Sequence, residues 1–218
     1  MVTTLTGKSI IEIMKVHRGQ CLFSNDGLEL EYEDLVENIQ EFGKQLSSID
    51  MENNKICALV LPNGIDMAIS FLALANYVTV SPLNPNYTEE EFLFFLEDLD
   101  CEFIITDNNA SNYLLEAAKK LKIKLFYLNN YSPKNRLSIK SLSTPSKCLL
   151  DQNKADDICL ILHTSGTTSR PKQVQLSCMN IISSALNIAR VLQLEKKDKG
   201  MNIMPLFHIH GLIASLLS

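Results

Sequence analysis

The hydrophobic positions of the chain follow two spacings in turn, one typical of buried strands and one typical of helices. Short, nearly continuous apolar runs bounded by polar residues predict strands that are covered on both faces. The predicted strands are KICALVL (55–61), VTVSPL (78–83), EFIIT (102–106), KLFYL (124–128), DICLILHT (157–164) and NIMPLF (202–207). Longer segments with apolar residues three or four positions apart predict helices. The predicted helices span 32–49, 64–77, 111–122 and 179–194, and another begins after Thr88.

Two local signals strengthen this pattern. Asp26-Gly27 separates CLFS from LELEY, which predicts a hairpin. Thr88 and Glu91 have the spacing of a capping box, in which the two residues satisfy each other's backbone N–H groups at the start of a helix. The apolar end of the chain after Gly211 predicts the start of a further helix.

The alternation of strands and helices indicates an α/β fold. We predict a doubly wound, largely parallel sheet with helices on both faces, because its strands are continuously apolar. The segment 129–157 is polar and weakly patterned, so we expect it to be a connection that crosses the surface. Ligands of such sheets bind at the carboxyl ends of the strands.

Composition and charge exclude several classes of protein. With 218 residues, 46% of them hydrophobic and 21% charged, the chain is long and apolar enough for a globular core. Its formal net charge of −5 disfavours a nucleic-acid partner, which requires a basic face. No apolar run approaches the roughly 20 residues of a membrane span. Six cysteines without a C-x-x-C pair predict free thiols in a reducing compartment, and hence a cytoplasmic location.

The segment 161–177, ILHTSGTTSRPKQVQLS, follows a predicted strand and carries the candidate chemistry. Gly166 allows the backbone to approach a ligand closely, and successive backbone N–H groups in such a turn bind anions. The serine and threonine side chains around this glycine add hydroxyl donors, and Arg170 and Lys172 add positive charge. Phosphate is the ligand that needs many donors and a cation in a small volume. The loop therefore predicts a phosphate site.

Two other interpretations of this loop compete with that prediction. A plain polar loop has a similar composition, so composition alone does not decide between them. The P-loop of nucleoside triphosphatases, G-x-x-x-x-G-K-[ST], fits poorly. Counted from Gly166, Pro171 stands at its second glycine and Gln173 at its magnesium-binding hydroxyl. Two of its four fixed positions fail, and we reject it.

The order Thr-Ser-Gly-Thr-Thr-x-x-Pro-Lys at 164–172 resembles the phosphate loop of the adenylate-forming enzymes. This family includes acyl-CoA synthetases, luciferases and the adenylation domains of peptide synthetases. Four other segments resemble its motifs and stand in the same order along the chain. They are LEYEDL (30–35), LPNG (61–64), SPLNP (81–85) and MPLFHIHG (204–211).

The resemblance implies an enzyme that joins a carboxylic acid to AMP with ATP and Mg²⁺, and then transfers the acyl group to coenzyme A. The loop residues that would hold the ATP phosphates are Thr164, Ser165, Gly166, Thr167, Thr168, Ser169 and Lys172. His208 would lie beside the acyl pocket, at the end of the last predicted strand. The magnesium ligand is expected beyond Ser218, and no metal site is predicted within the chain.

The departures from the general family indicate a branch. Serine and glutamine stand at 169 and 173, where the general family has glycine. HTSGTTSRPK followed by MPLFHIHGL resembles the oxalate–CoA ligases, so the expected substrate is a small acid such as oxalate. A ligase for a fatty or aromatic acid is the alternative within the same class.

The resemblance also implies that residues 1–218 form a partial N-terminal, AMP-binding domain. The rest of that domain and a C-terminal domain are absent, so the chain alone is expected to be inactive. Its expected partners are the small acid, ATP, coenzyme A and the missing part of the same protein. The alternative is a non-catalytic nucleotide-binding or interaction module that another chain completes.

Overall fold

The structure is a computed structural model that describes residues 9–25, 27–49, 51, 55–132, 135–140, 150–164 and 171–218. Its helices are α1 (Ile10–Met14), α2 (Tyr32–Ser48), α3 (Ile65–Ala75), α4 (Glu89–Leu99), α5 (Asn112–Leu121), α6 (Cys178–Val191) and α7 (His210–Leu217), the last a π-helix. Its strands are β1 (Gln20–Phe23), β2 (Glu29–Glu31), β3 (Ile56–Val60), β4 (Thr79–Pro82), β5 (Phe103–Thr106), β6 (Lys124–Asn129), β7 (Ser138–Ile139), β8 (Ile158–His163) and β9 (Gln173–Ser177).

Seven of these strands form one sheet in the order β7-β6-β5-β3-β4-β8-β9. The five central strands pair in parallel, and β7 and β9 pair antiparallel at the two edges. β3 lies in the middle, and the chain adds strands on both sides of it. This confirms the prediction of a doubly wound, largely parallel α/β fold. The hairpin β1–β2, predicted around Asp26-Gly27, is a separate two-stranded sheet.

The sheet separates two hydrophobic cores, because successive side chains of a strand point to opposite faces. In β3, Leu59 joins the core formed with α2, α3 and α6, whereas Ala58 and Val60 join the core formed with α4 and α5. Helices therefore cover both faces. None of the helices in the described part of the chain combines the length and the apolar character needed to cross a bilayer.

Hydroxyl side chains of β4 reinforce its junction with β8. The backbone register there pairs Val80 with Leu160. Thr79 Oγ1 donates to the Ile158 carbonyl at 2.6 Å, and Ser81 Oγ donates to that of Ile161 at 2.9 Å. Both hydroxyls are buried, so these bonds satisfy polar groups that water does not reach.

The connection between β6 and β8, predicted to cross the surface, is partly anchored in the core. Within its described residues, Leu137 and Ile139 are buried. Their backbone N–H groups donate to the buried amide side chains of α2, at 3.2 Å to Asn38 Oδ1 and 2.6 Å to Gln45 Oε1. A polar sequence therefore still contributes a short strand, β7, to the sheet edge.

The predicted strand 202–207 is wrong. This segment turns instead: Asn202 Oδ1 accepts from the backbone N–H of Met204 at 2.9 Å, and His208 N–H donates to the Pro205 carbonyl at 3.1 Å. Proline has no N–H to donate to a strand ladder, and the asparagine side chain competes for the backbone.

The loop after β8 does not lead directly into the predicted helix 179–194. β9 comes first and pairs antiparallel with β8, so the two strands form a hairpin. Only then does α6 begin, with Ser177 as its N-cap accepting from the backbone N–H of Asn180 at 3.2 Å.

Candidate functional site

The β8–β9 hairpin presents the two described ends of the threonine-rich loop. His163 pairs with Gln173 as the outermost pair of the ladder. Beyond it, the Thr164 N–H donates to the Lys172 carbonyl at 2.9 Å, and the Thr164 hydroxyl lies 3.4 Å from both the N–H and the carbonyl of Lys172. The structure thus brings these two predicted site residues together, both of them exposed. The other predicted phosphate ligands, Ser165, Gly166, Thr167, Thr168 and Ser169, lie outside the described residues.

The outermost pair of the hairpin is bound to the end of helix α4. His163 Nε2 lies 3.0 Å from Asp98 Oδ2. Gln173 Nε2 donates to the same carboxylate oxygen at 3.0 Å and also to the Asp98 backbone carbonyl. The Phe95 ring contacts the imidazole edge-on, with 4.7 Å between the ring centroids. Asp98 is not recognisable as a site residue from the sequence, because it is separated from these partners by 65 and 75 residues.

A cavity of about 640 Å³ opens beside the carboxyl ends of β3, β4 and β5. Its lining includes Val60, Asn63, Asn86, Thr106, Asp107 and Phe207. The lining mixes apolar surface with amide, hydroxyl and carboxylate groups, a combination typical of small-molecule sites. The β8–β9 loop leaves the same edge of the sheet, because β8 is parallel to β4. The cavity and the loop therefore lie at the carboxyl ends of the strands, where open α/β sheets bind their ligands.

The LPNG and MPLFHIHG segments meet at the wall of this cavity. Asn63, which follows β3, accepts a hydrogen bond from the backbone N–H of Leu206 at 2.9 Å. Phe207 lines the cavity, and its ring lies 4.7 Å from that of His208. The predicted acyl-pocket residue His208 is exposed and lies in a turn next to the cavity wall, not at the end of a strand.

Metal coordination needs several ligating side chains at one point. The described residues contain no group of three or more His, Cys, Asp or Glu side chains that could hold a metal ion. The expectation of a magnesium ligand beyond Ser218 stays a prediction.

The described ends of the threonine-rich loop lie at the carboxyl edge of a largely parallel sheet, where ligands of open α/β sheets bind. A family model described as "AMP-binding enzyme" matches residues 14–218. The chain belongs to this family. The chain is 38% identical over 191 residues to the oxalate–CoA ligase of Arabidopsis thaliana, covering 85% of this chain and 36% of that relative. It is 36% identical over 186 residues to the oxalate–CoA ligase of Saccharomyces cerevisiae, covering 74% and 34%.

The fold of the chain also matches solved structures. It matches o-succinylbenzoate coenzyme A synthetase (MenE) from Bacillus subtilis, in complex with ATP and magnesium ion, with a TM-score of 0.79 at 21% identity. That match covers 96% of this chain and 54% of the solved chain. The chain spans about a third of the length of the two curated relatives.

Proposed function

We propose that this chain supplies the phosphate-binding part of an AMP-forming acid–CoA ligase. The observation that carries the proposal is the family match over residues 14–218, which includes the whole threonine-rich loop. Oxalate–CoA ligases that are 36% to 38% identical to the chain support the same class of reaction.

The proposed reaction has two steps. A carboxylate is a poor acyl donor because its oxygen leaves badly. In the first step its oxygen attacks the α-phosphorus of ATP, and pyrophosphate leaves. In the second step the thiol of coenzyme A loses its proton and attacks the acyl carbon, and AMP leaves. The protein's contribution to the first step is to hold the β- and γ-phosphates in line and to offset their charge.

Thr164 and Lys172 are the residues of the described loop ends that we propose for this role. Their backbones are hydrogen bonded to each other, so the two residues stand opposite each other at the end of the hairpin. We propose that the backbone N–H groups and side chains of Ser165, Gly166, Thr167, Thr168 and Ser169 complete the phosphate site. ATP and coenzyme A are substrates in this scheme.

We propose a small acid such as oxalate as the acyl substrate. The support is the similarity to two oxalate–CoA ligases, and His208 beside the cavity is the residue we assign to the acyl side of the site. A panel of dicarboxylic, short-chain and aromatic acids, tested on the protein that carries this chain, decides the substrate. A preference for fatty or aromatic acids would contradict the oxalate proposal and leave the ligase proposal standing.

The experiment that tests the phosphate role is the substitution Lys172→Ala. Losing a charge-assisted contact of about 1.5–3 kcal/mol should lower acid-dependent ATP–pyrophosphate exchange about 10- to 150-fold. The matched control is Lys119→Ala, which removes an exposed lysine of α5. An exchange rate equal to the control would remove Lys172 from the site.

The complete reaction is proposed for the protein that carries this chain, and residues 1–218 alone are expected to form no acyl-CoA. Turnover by residues 1–218, measured as coenzyme A consumption, would contradict that expectation. The five described cysteines are free, which supports the reducing, cytoplasmic location that we propose.

A further inference from the structure

The contacts between helix α4 and the hairpin satisfy groups that a helix end otherwise leaves exposed. The last four carbonyls of a helix have no partner within it, and a carboxylate near that end is disfavoured by the helix dipole. Asp98 lies one residue before the end of α4 at Leu99. It therefore has both a backbone carbonyl without a partner in the helix and a carboxylate that the helix dipole disfavours. Gln173 donates to the carbonyl and to the carboxylate, and His163 contacts the carboxylate.

The imidazole of this group has little access to water, and the carboxylate is partly buried. The His163 side chain is 6% exposed and that of Asp98 is 26% exposed. The imidazole is held between the Asp98 carboxylate and the Phe95 ring, so its orientation is fixed by two different neighbours. Hydrogen bonds in such surroundings are stronger than exposed ones, and the contacts therefore restrict the hairpin more than a surface pair would.

The restricted pair directly precedes the proposed phosphate ligands on both strands. His163 is followed by Thr164, and Gln173 is preceded by Lys172. A rotation or slip of the outermost ladder pair would carry Thr164 and Lys172 with it, because their backbones are hydrogen bonded to each other. The position of Thr164 and Lys172 therefore depends on the ladder pair His163–Gln173, which Asp98 holds in place.

We propose that Asp98 is a positioning residue for ATP binding, which acts through His163 and Gln173 on the stem of the phosphate loop. This inference rests on the proposed function, since it assigns to Asp98 the placement of Thr164 and Lys172. Asp98 itself touches neither substrate in this scheme. Its effect should therefore appear in the affinity for ATP and not in the affinity for the carboxylic acid.

The test measures ATP–pyrophosphate exchange by the protein that carries this chain. We expect Asp98→Ala to raise KM for ATP at least fivefold and to leave KM for the acid within twofold. The matched control is Glu97→Ala, which removes a carboxylate from the neighbouring, exposed position of α4. The control should change neither constant.

A pair of exchanged side chains separates positioning from general packing. Asp98→Asn and Gln173→Glu should each raise KM for ATP, the second by placing two carboxylates side by side. The double variant returns one carboxylate and one amide to the site, in exchanged positions. We expect its KM for ATP to be lower than that of Gln173→Glu alone, because only one carboxylate remains, and a loss of packing alone would not produce such a rescue.

The outcomes distinguish this inference from the proposed function. Variants of Asp98 and Gln173 that lower the melting temperature without changing KM for ATP overturn the inference, provided that Lys172→Ala still impairs exchange. If Lys172→Ala also has no effect, the proposed function fails. If Asp98→Ala does not fold, Gln173→Ala on the edge strand replaces it in the test, and KM for ATP should rise in the same way. An unchanged KM for ATP in Gln173→Ala overturns the inference.

Discussion

At the scale of single residues, Gly211 shows how closely the segment after α6 folds back on itself. A Cβ atom at this position would lie 2.4 Å from the Pro205 carbonyl oxygen and 2.9 Å from that of Met204. Backbone atoms cannot yield as a flexible side chain would. The absence of a side chain at Gly211 therefore permits the contact between the start of α7 and the turn beside the cavity.

We expect Gly211→Ala to destabilise the protein by about 1–3 kcal/mol, the usual cost of overpacking. Alanine normally favours a helix by about 1 kcal/mol over glycine, and the clash should exceed that gain. The measurement is the melting temperature. Gly200→Ala is the control, because a Cβ there meets nothing within 4 Å. Equal melting temperatures for the two variants would contradict the prediction.

Asp66 gives a prediction for pH. Partial burial raises the pKa of this carboxyl from 3.8, and the Asp107 charge adds to the rise, although the Tyr131 N–H, which donates to it at 2.7 Å, opposes it. A raised pKa means that the folded state holds the proton more tightly than the unfolded chain. The stability from protonated Asp66 is present below 3.8 and is lost as the pH rises through the folded-state pKa.

Asp66→Asn should remove this loss, because the amide stays neutral and its oxygen still accepts from Tyr131. We expect the melting temperature of the variant, relative to that of the unmodified protein, to increase as the pH is raised from about 4 to about 8. A difference that stays constant over this range would show that Asp66 titrates with an ordinary pKa in the folded state.

At the scale of elements, α4 has the predicted capping box at its first turn and the proposed positioning residue, Asp98, in its last turn. Thr88 Oγ1 accepts from the Glu91 N–H at 3.3 Å, and the Glu91 carboxylate accepts from the Thr88 N–H at 2.8 Å. This confirms the capping box predicted from the sequence. The same helix ends beside Asp98, so its first and last turns both have defined partners.

Thr88→Ala should lower the free energy of unfolding by about 1 kcal/mol, the typical cost of losing an N-cap side chain. Thr88→Ser keeps the hydroxyl and should stay close to the unmodified protein. Thermal melting of the two variants measures the difference. If serine and alanine are equally destabilising, the hydroxyl is not the source of the effect.

The elements differ in how well their sequences predict them. Central strands such as β3 and β5 were predicted because burial on both faces leaves a continuous apolar run. β9 was missed, although Val174 and Leu176 alternate with polar residues, because an edge strand carries a weaker signal than the polar loop before it. The segment 202–207 is apolar like a strand, but its proline and asparagine favour a turn.

The candidate site was predictable only in part for a related reason. The threonine-rich loop is a local pattern, so its residues and its place at the carboxyl edge of the sheet follow from the sequence. The contacts of Asp98 join residues far apart in the chain, and no spacing of residue types encodes such a contact. The hydrogen bond between Asn63 and Leu206 joins residues 143 positions apart, and it could not be predicted from the sequence for the same reason.

At the scale of the whole molecule, the described thiols are distributed through the core. Cys57 and Cys159 are completely buried, and burial raises the pKa of Cys57 well above its ordinary value and that of Cys101 to about 12. The pKa of Cys159 is raised by its hydrogen bond with Cys178 and by burial. Since the thiolate is the reactive form, none of these groups should react quickly in the folded state.

We therefore expect alkylation of Cys57, Cys101 and Cys159 to be at least about 100-fold slower in the folded protein than in denaturant. Mass spectrometry of the digested protein reports each site separately, and the denatured protein serves as the control. Rapid labelling of Cys57 under native conditions would mean that the central strand opens far more readily than its burial indicates.

The position of β8 beside β4 has a consequence for biosynthesis. A ribosome releases β3, β4, β5 and β6 long before β8, so the nascent sheet carries β4 as an unpaired edge. Until the hairpin emerges, the hydroxyl groups of Thr79 and Ser81 lack the backbone carbonyls of Ile158 and Ile161 that accept their hydrogen bonds in the folded protein. An open strand edge invites pairing with other nascent chains through its unpaired backbone groups. The interval between the release of β6 and the emergence of the β8–β9 hairpin is thus the one in which a chaperone would protect this protein most.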